Sequence, residues 1–320
     1  MTEEKVTGLK KLGQTLHTHL QKPRVRQGLK LLQWLMTGLI FLYLIFRVEQ
    51  IGWAEVRHAL PAAPLFYLLF FVIYLCQPAS ELLIYRLIWN VGLWRCFPVF
   101  VRKKIFNTGV MGYSGEAYLC FWAIPRLELS QKEIFSTVKD NNILSALTSN
   151  SMTVFLLAIF FLTGQIKVIT NADPSVTSYL ILAAVITVIL VPVVIRFRRH
   201  ILALPPVIVR KVLTIHISRL LLVLGLQILQ WNVVLPEVPV TTWVLLITAQ
   251  MVLTRIPFLP NSELIFLGVC LSMTGFVNAP EARVAGMFVA AGALTQGLHL
   301  LLYALTSFGN FRPVALPQQS

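Results

Sequence analysis

The amino-acid sequence predicts an all-α integral membrane protein with about six transmembrane helices and two re-entrant hairpins of opposite orientation, arranged as an inverted repeat. Three observations lead to this prediction. Hydrophobic residues make up 57% of the 320 residues and charged residues only 12%, which is typical of a polytopic membrane protein. Long apolar runs recur along the chain. Two of these runs are interrupted by helix-breaking elbows, and each elbow carries a glutamate.

The apolar runs place the individual elements. Uninterrupted windows predict full-length helices near 29–46, 64–90, 143–163, 178–196, 213–231 and 281–305. Two further regions, 97–125 and 241–276, are split by the elbows. Their halves are too short to cross ~30 Å of hydrocarbon at about 1.5 Å per residue. We therefore predict that each region enters and leaves the membrane on the same side.

The distribution of charge predicts the orientation. The net charge is +14, but apolar spans separate the cations, which indicates loop charge on one side of a bilayer and not a nucleic-acid-binding surface. With a cytoplasmic N-terminus, the cytoplasmic segments hold 21 of the 27 Lys/Arg. These segments are 1–30, 91–104, 126–142, 196–219 and the C-terminus. The first hairpin then opens to the cytoplasm and the second to the outside.

These boundaries divide the chain into three parts. Residues 1–30 are predicted to be a basic cytoplasmic tail, 31–308 a polytopic membrane domain, and 309–320 a cytoplasmic C-terminal tail. Both termini lie in the cytoplasm in this prediction, and the loops 47–62 and 164–177 lie outside. We expect a multi-pass protein of the bacterial plasma (inner) membrane.

The elbow glutamates are the main candidates for a functional site. Glu116 follows Gly112 and Gly115 in the first elbow, and Glu263 follows Asn261 in the second, 147 positions later. A carboxylate at membrane depth is costly and tends to face the protein interior or a wet cavity. Each carboxylate could contact a cationic headgroup, a proton or a counter-charge. It could equally accept hydrogen bonds from the N–H groups of the half-helix that follows.

Two arginines lie near these elements. Arg86 ends the second predicted helix, where it would snorkel to the interface or pair with a lipid phosphate or with Glu116. Arg255 lies two residues before the second break, where it would pair with Glu263 or with a phosphate. Both arginines are therefore candidate lipid-contacting residues.

The segment 129–147 begins as an amphipathic helix at the inner surface. Ser130 and Glu133 have the spacing of a capping box. Lys139 and Asp140 close the polar part of this segment just before a span. They would either form a solvated face or contact a lipid headgroup.

The remaining polar residues predict neither an enzyme nor a cofactor. The four cysteines contain no CxxC pair and the six histidines no HxxxH or HExxH spacing, so no metal is expected. There is no Ser/His/Asp set, glycine-rich phosphate loop or paired-acid spacing, and we predict no catalytic residues. His216 and Arg219 are predicted to lie at the membrane interface, at the cytoplasmic end of the fifth span.

Four short motifs carry a resemblance to a known family. They are Ser80-Glu81-Leu-Leu-Ile-Tyr85-Arg86, Asn107-Thr108-Gly109-Val-Met-Gly112-Tyr-Ser-Gly115-Glu116, Ile134 to Asn142, and Leu259-Pro260-Asn261-Ser262-Glu263. In layout and in these motifs, residues 30–308 resemble the membrane domain of lysylphosphatidylglycerol synthase and its stand-alone, flippase-like relatives. The last motif lacks the family's usual Pro-Gly-Gly-x-Gly. Because no aminoacyltransferase domain is visible, the resemblance implies lipid translocation or binding without lipid synthesis.

Two functions from different classes follow as hypotheses. The first is a lipid flippase-like protein that binds and translocates a phospholipid or glycolipid headgroup. The alternative is a non-transporting scaffold or regulatory subunit for an envelope-lipid or polysaccharide enzyme. The expected partners are membrane phospholipids or glycolipids and no nucleic acid, and a homo-oligomer or an envelope-enzyme partner stays open. A hydrophilic groove at the elbows would favour transport, whereas dry, packed elbows would favour a scaffold.

Overall fold

The described part of the chain is all-helical. The computed structural model describes residues 60–109, 112–162, 201–253 and 281–307, together with Ala54, His58 and Phe266. These residues contain no β-strand. Their helices are α1 (Pro64–Trp89), α2 (Phe97–Gly109), α3 (Ser114–Ala123), α4 (Gln131–Leu162), α5 (Pro206–Val234), α6 (Val240–Leu253) and α7 (Glu281–Ser307), and a short 3-10 turn covers Trp94–Cys96.

Four of the described helices are long and apolar enough to cross a membrane. They cover Pro64–Trp89, Gln131–Ile159, Pro206–Val234 and Ala282–Thr306. They correspond to four of the six predicted spans, and the other two, 29–46 and 178–196, lie outside the described residues. The prediction of an all-helical chain compatible with a multi-pass membrane protein is confirmed at this level. The number of spans stays a prediction.

The helices α4 and α5 begin earlier than the apolar windows. The amphipathic segment and the span predicted at 143–163 form one 32-residue helix that begins at Gln131. The predicted capping box is confirmed: the backbone N–H of Ser130 donates to Glu133 Oε2 at 2.8 Å, and the backbone N–H of Glu133 donates to Ser130 Oγ at 3.2 Å. Pro206 at the start of α5 suits a first helical turn, where no N–H is required.

The helices α2 and α3 fold back on each other at the predicted first elbow. Ser114 Oγ donates to the Phe106 carbonyl at 2.6 Å, and the Phe106 and Tyr118 rings lie 5.0 Å apart. Tyr113, just before α3, has a φ of 67°, a left-handed conformation that reverses the chain. The two short helices therefore form an antiparallel hairpin. Its re-entry into a membrane stays a prediction.

The first arm of the hairpin, α2, contacts both α1 and α7. Lys104 Nζ donates to the carbonyl of Tyr74, the eleventh residue of the 26-residue α1, at 2.8 Å. Thr108 Oγ1 lies 3.1 Å from His299 Nε2 on α7. With 13 residues, α2 is half as long as the 26-residue α1.

Contacts between the long helices fix their relative directions. Gln230 Nε2 donates to the Phe66 carbonyl at 3.1 Å, so the end of α5 meets the start of α1 and the two are antiparallel. His216 Nε2 lies 3.0 Å from Asn141 Oδ1, and about one turn further along both helices Arg219 donates to Ser145 Oγ at 3.5 Å. Helices α4 and α5 therefore run in the same direction, as the predicted threading requires.

The helix α6 corresponds to the first half of the second predicted hairpin. It runs antiparallel to α5, because Trp243 packs on Trp231 with ring centroids 5.5 Å apart and Gln227 Nε2 donates to Gln250 Oε1 at 2.8 Å. The second elbow itself, with Arg255, Asn261 and Glu263, lies outside the described residues.

Candidate functional site

A buried cluster of three charged side chains joins α1 to the α2–α3 hairpin. Lys103 Nζ lies 2.8 Å from Glu81 Oε1 on α1 and 3.1 Å from Glu116 Oε1 on α3. The exposed fractions of these side chains are 1% for Lys103, 8% for Glu81 and 14% for Glu116. A buried charge is tolerated when it is paired, and removing one partner strands the others. The cluster therefore fastens the hairpin to α1.

The cluster has one more negative charge than positive charge, since two carboxylates share one ammonium group. Glu116 Oε2 is buried and has no hydrogen-bond partner among the residues that the structure describes. Buried polar atoms are rarely left without a partner. This oxygen could therefore accept a hydrogen bond from an ammonium group.

Close contact between α2 and α3 holds Glu116 in place. A Cβ at Gly115 would overlap the carbonyl oxygen of Lys103 and lie 2.8 Å from Asn107 Oδ1, so only glycine allows this approach. The Gly115 N–H donates to Asn107 Oδ1 at 2.7 Å, which satisfies one amide at the start of α3. Glu116 lies in the first turn of α3, where the helix dipole favours a negative charge.

A polar network extends from this cluster to α4 and α5. Lys103 Nζ lies 5.9 Å from the ring centroid of the fully buried Tyr85. Asn141 Nδ2 donates to the Tyr85 hydroxyl at 3.3 Å, and Asn141 Oδ1 lies 3.0 Å from His216 Nε2. The network thus joins four helices through side chains that are far apart in sequence.

The prediction of an interfacial position for His216 and Arg219 is wrong for His216, which is 1% exposed. Arg219 is half-buried, and its guanidinium donates to Ser80 Oγ and Ser145 Oγ, each at 3.5 Å. The reason is that α5 begins at Pro206, which places both residues well inside the helix and on the face that contacts α1 and α4.

Arg86 lies apart from the charged cluster. Its guanidinium stacks on the Trp94 ring, 4.6 Å from the ring centroid. Glu116 pairs with Lys103 instead of Arg86. Gly112 is exposed at the elbow. A contact of Arg86 or of the elbow with lipid stays a prediction.

Lys139 and Asp140 connect α4 to the segment before α5. Asp140 is fully buried, and its Oδ2 accepts hydrogen bonds from the backbone N–H groups of Ala203 at 2.6 Å and Leu204 at 2.9 Å. The exposed Lys139 donates to the Ile201 carbonyl and lies 3.1 Å from Asp140 Oδ1. Asp140 thus anchors this segment and does not belong to a solvated face. A headgroup contact of these two residues stays a prediction.

We expect Asp140→Ala to lower the free energy of unfolding by about 1–3 kcal/mol, because two buried backbone N–H groups lose their acceptor. Thermal unfolding of the purified protein in detergent measures this effect. The matched control is Glu128→Ala, which removes an exposed carboxylate and should change stability by less than about 0.5 kcal/mol. If Asp140→Ala and Glu128→Ala lose the same free energy of unfolding, Asp140 does not anchor this segment.

Sequence reasoning missed Lys103 and the role of Glu81. The run Arg102-Lys103-Lys104 was assigned to a cytoplasmic segment, although Lys103 lies in the packed interior. Glu81 had a visible signal, because it is the one acidic residue in the apolar window 64–90. An acidic residue in such a window indicates a buried partner of opposite charge.

The fold defines the class of protein: a helical protein with several helices that could cross a membrane. Its candidate site is the buried ionic cluster where the α2–α3 hairpin contacts the long apolar helix α1. Within the part of the chain that the structure describes, no group of His, Cys, Asp and Glu could hold a metal ion. No protein-family model, no curated protein and no solved structure matches the chain.

Proposed function

We propose that this chain is a flippase-like membrane protein that binds and translocates a lipid headgroup, without catalysing a reaction. The observation that carries the proposal is the carboxylate of Glu116. One of its oxygens pairs with Lys103, and the other is buried without a hydrogen-bond partner in the described part of the chain. An ammonium group on a headgroup would satisfy that oxygen with a charge-assisted hydrogen bond.

The position of the elbow supports the same proposal. The first arm of the hairpin, α2, has 13 residues, which is half the length of the 26-residue α1, a helix that could span a membrane. Broken helices that meet near mid-depth form the substrate site in many transporters. In the proposed inverted repeat, Arg255, Asn261 and Glu263 form the second half of this site.

We place the protein in the bacterial inner membrane, with six spans and both termini in the cytoplasm. The orientation rests on the distribution of Lys and Arg, and two contacts agree with the grouping of the loops, because each joins segments assigned to the same side. Asp140 bonds to Ala203, and both residues belong to segments assigned to the cytoplasm. At the other end of the helices, Arg283, assigned to the outside, pairs with Glu237 at 2.7 Å. The four motifs further support a relationship to the stand-alone lysylphosphatidylglycerol synthase membrane domains.

We expect Glu116→Gln to slow the translocation of amine-bearing phospholipids by about tenfold or more, because a charge-assisted hydrogen bond contributes about 1.5–3 kcal/mol. The measurement is dithionite quenching of acyl-labelled lipids in proteoliposomes. It compares phosphatidylethanolamine and aminoacylated phosphatidylglycerol with phosphatidylglycerol.

The matched control is Glu128→Gln, which neutralises an exposed glutamate and should translocate lipid at the wild-type rate. If the folded wild-type protein translocates none of these lipids faster than protein-free liposomes do, the proposed function is wrong. Equal rates for Glu116→Gln and Glu128→Gln would instead contradict the role of the Glu116 carboxylate.

A non-transporting scaffold or regulatory subunit for an envelope enzyme is the second candidate. The close packing of Gly115 on α2 and the 1% exposure of Lys103 favour it, because tightly packed elbows leave little room for a headgroup. The same liposome experiment separates the two functions, since a scaffold would show no translocation of any lipid class.

A further inference from the structure

A half-buried arginine lies at the middle of α5, among polar groups of two other helices. Arg219 is the fourteenth residue of the 29-residue α5. Its two terminal nitrogens donate to Ser80 Oγ on α1 and to Ser145 Oγ on α4, each at 3.5 Å. All three residues lie well inside helices that are long and apolar enough to cross a membrane.

These two hydroxyls satisfy only part of the hydrogen-bonding capacity of Arg219. A guanidinium has five N–H donors, and both of these hydrogen bonds are long. No carboxylate lies within 4.0 Å of Arg219 among the described residues. Glu81 interacts with Arg219 electrostatically, but its Oε1 already accepts a hydrogen bond from Lys103 at 2.8 Å. A cation at membrane depth calls for a closer anion.

We infer that Arg219, Ser80 and Ser145 form a binding site for a phosphate group. The planar guanidinium presents two parallel N–H groups that match two oxygens of a phosphate, and serine hydroxyls can rotate to donate to or accept from the same anion. The inference deepens the proposed function, on which its assignment to a lipid rests: Arg219 would bind the phosphate of a lipid headgroup. The anion chemistry itself does not depend on transport.

The site is tested by binding to the purified full-length protein in a neutral detergent. The probes are dihexanoyl phosphatidic acid, dihexanoylglycerol, which has the same chains without phosphate, and inorganic phosphate. We expect phosphatidic acid to bind and dihexanoylglycerol not to bind in titration calorimetry. Arg219→Gln should weaken the binding of phosphatidic acid by about tenfold or more. The affinity of Arg219→Lys for phosphatidic acid should lie between those of the wild type and Arg219→Gln, because an ammonium keeps the charge but lacks the planar pair of N–H groups.

The matched control is Arg283→Gln, which removes an exposed arginine and should leave binding unchanged. Ser145→Ala provides a second, milder variant in case Arg219→Gln fails to fold, and should weaken binding several-fold. Binding of inorganic phosphate as tightly as phosphatidic acid would support the site and assign it to free phosphate. Wild-type affinity in folded Arg219→Gln, or in both Arg219→Lys and Ser145→Ala, would overturn the inference.

The outcomes also separate this inference from the proposed function. If lipid translocation depends on Glu116 while phosphatidic acid binds independently of Arg219, the phosphate site is wrong and the function stands. If phosphatidic acid binds through Arg219 but no lipid is translocated, the phosphate site stands and the function is wrong.

Discussion

Lys103→Met is expected to lower the free energy of unfolding by about 3–5 kcal/mol, because it leaves two buried carboxylates without their counter-charge. Glu81 and Glu116 both bond to the Lys103 ammonium, at 2.8 and 3.1 Å. Methionine keeps an unbranched side chain as far as Cε and removes the ammonium group with its charge and donors. Thermal unfolding in detergent, together with the yield of monodisperse protein by size-exclusion chromatography, measures the effect.

A control and a rescue make this prediction specific. Lys211→Met removes an exposed lysine of α5 and should leave the unfolding temperature nearly unchanged. Adding Glu81→Gln and Glu116→Gln to Lys103→Met removes the stranded charges and should recover much of the lost stability, because a neutral cluster needs no counter-charge. A Lys103→Met protein as stable as Lys211→Met would show that the ionic cluster does not hold the hairpin.

Gly115→Ala is expected to have the second largest effect, at the upper end of the roughly 1–3 kcal/mol that overpacking costs. A Cβ at this position meets the carbonyl oxygen of Lys103, which belongs to the helix backbone and cannot rotate away as a side chain would. Relief of the overlap must move α3 away from α2, and it would disturb the hydrogen bond between Gly115 N–H and Asn107 Oδ1. Gly115→Ala should therefore lower the unfolding temperature and slow lipid translocation.

The same elbow supplies the matched control. Gly112 has no atom within 4 Å of the position that a Cβ would occupy, and its φ lies outside the left-handed range that favours glycine. Gly112→Ala should therefore change the free energy of unfolding by less than about 0.5 kcal/mol. If the two alanine variants unfold at the same temperature, close packing of the two short helices at Gly115 is not what stabilises the elbow.

The first elbow shows how far local sequence signals reach. The short apolar halves and the glycines predicted a break after the first half of 97–125, and the structure has α2 and α3 on either side of it. The capping box at Ser130 and Glu133 was also predicted correctly, because its hydrogen bonds join residues three positions apart. The start of α5 was placed too late, at 213 instead of Pro206, since apolar windows do not detect the polar first turns of a helix.

The partners of the buried charges could not be predicted in this way. The ammonium that pairs with Glu116 comes from a run of three basic residues, which has the appearance of a cytoplasmic loop. His216 meets Asn141 across 75 positions of sequence. Asp140 meets backbone amides 63 and 64 positions away. Each of these contacts depends on which faces of two helices meet.

The sequence by itself predicted a helical fold, the positions of four long apolar helices and the position of the first break between helices. Hydropathy, glycine placement and capping act over a few residues, so they can be recognised without knowing the fold. Only the tertiary structure decided that Lys103 and not Arg86 faces Glu116, that Asp140 is an anchor, and that Arg219 lies among hydroxyls at mid-helix. The physical reason is that a buried charge is stabilised by whichever groups the packing of distant helices brings within a few ångströms.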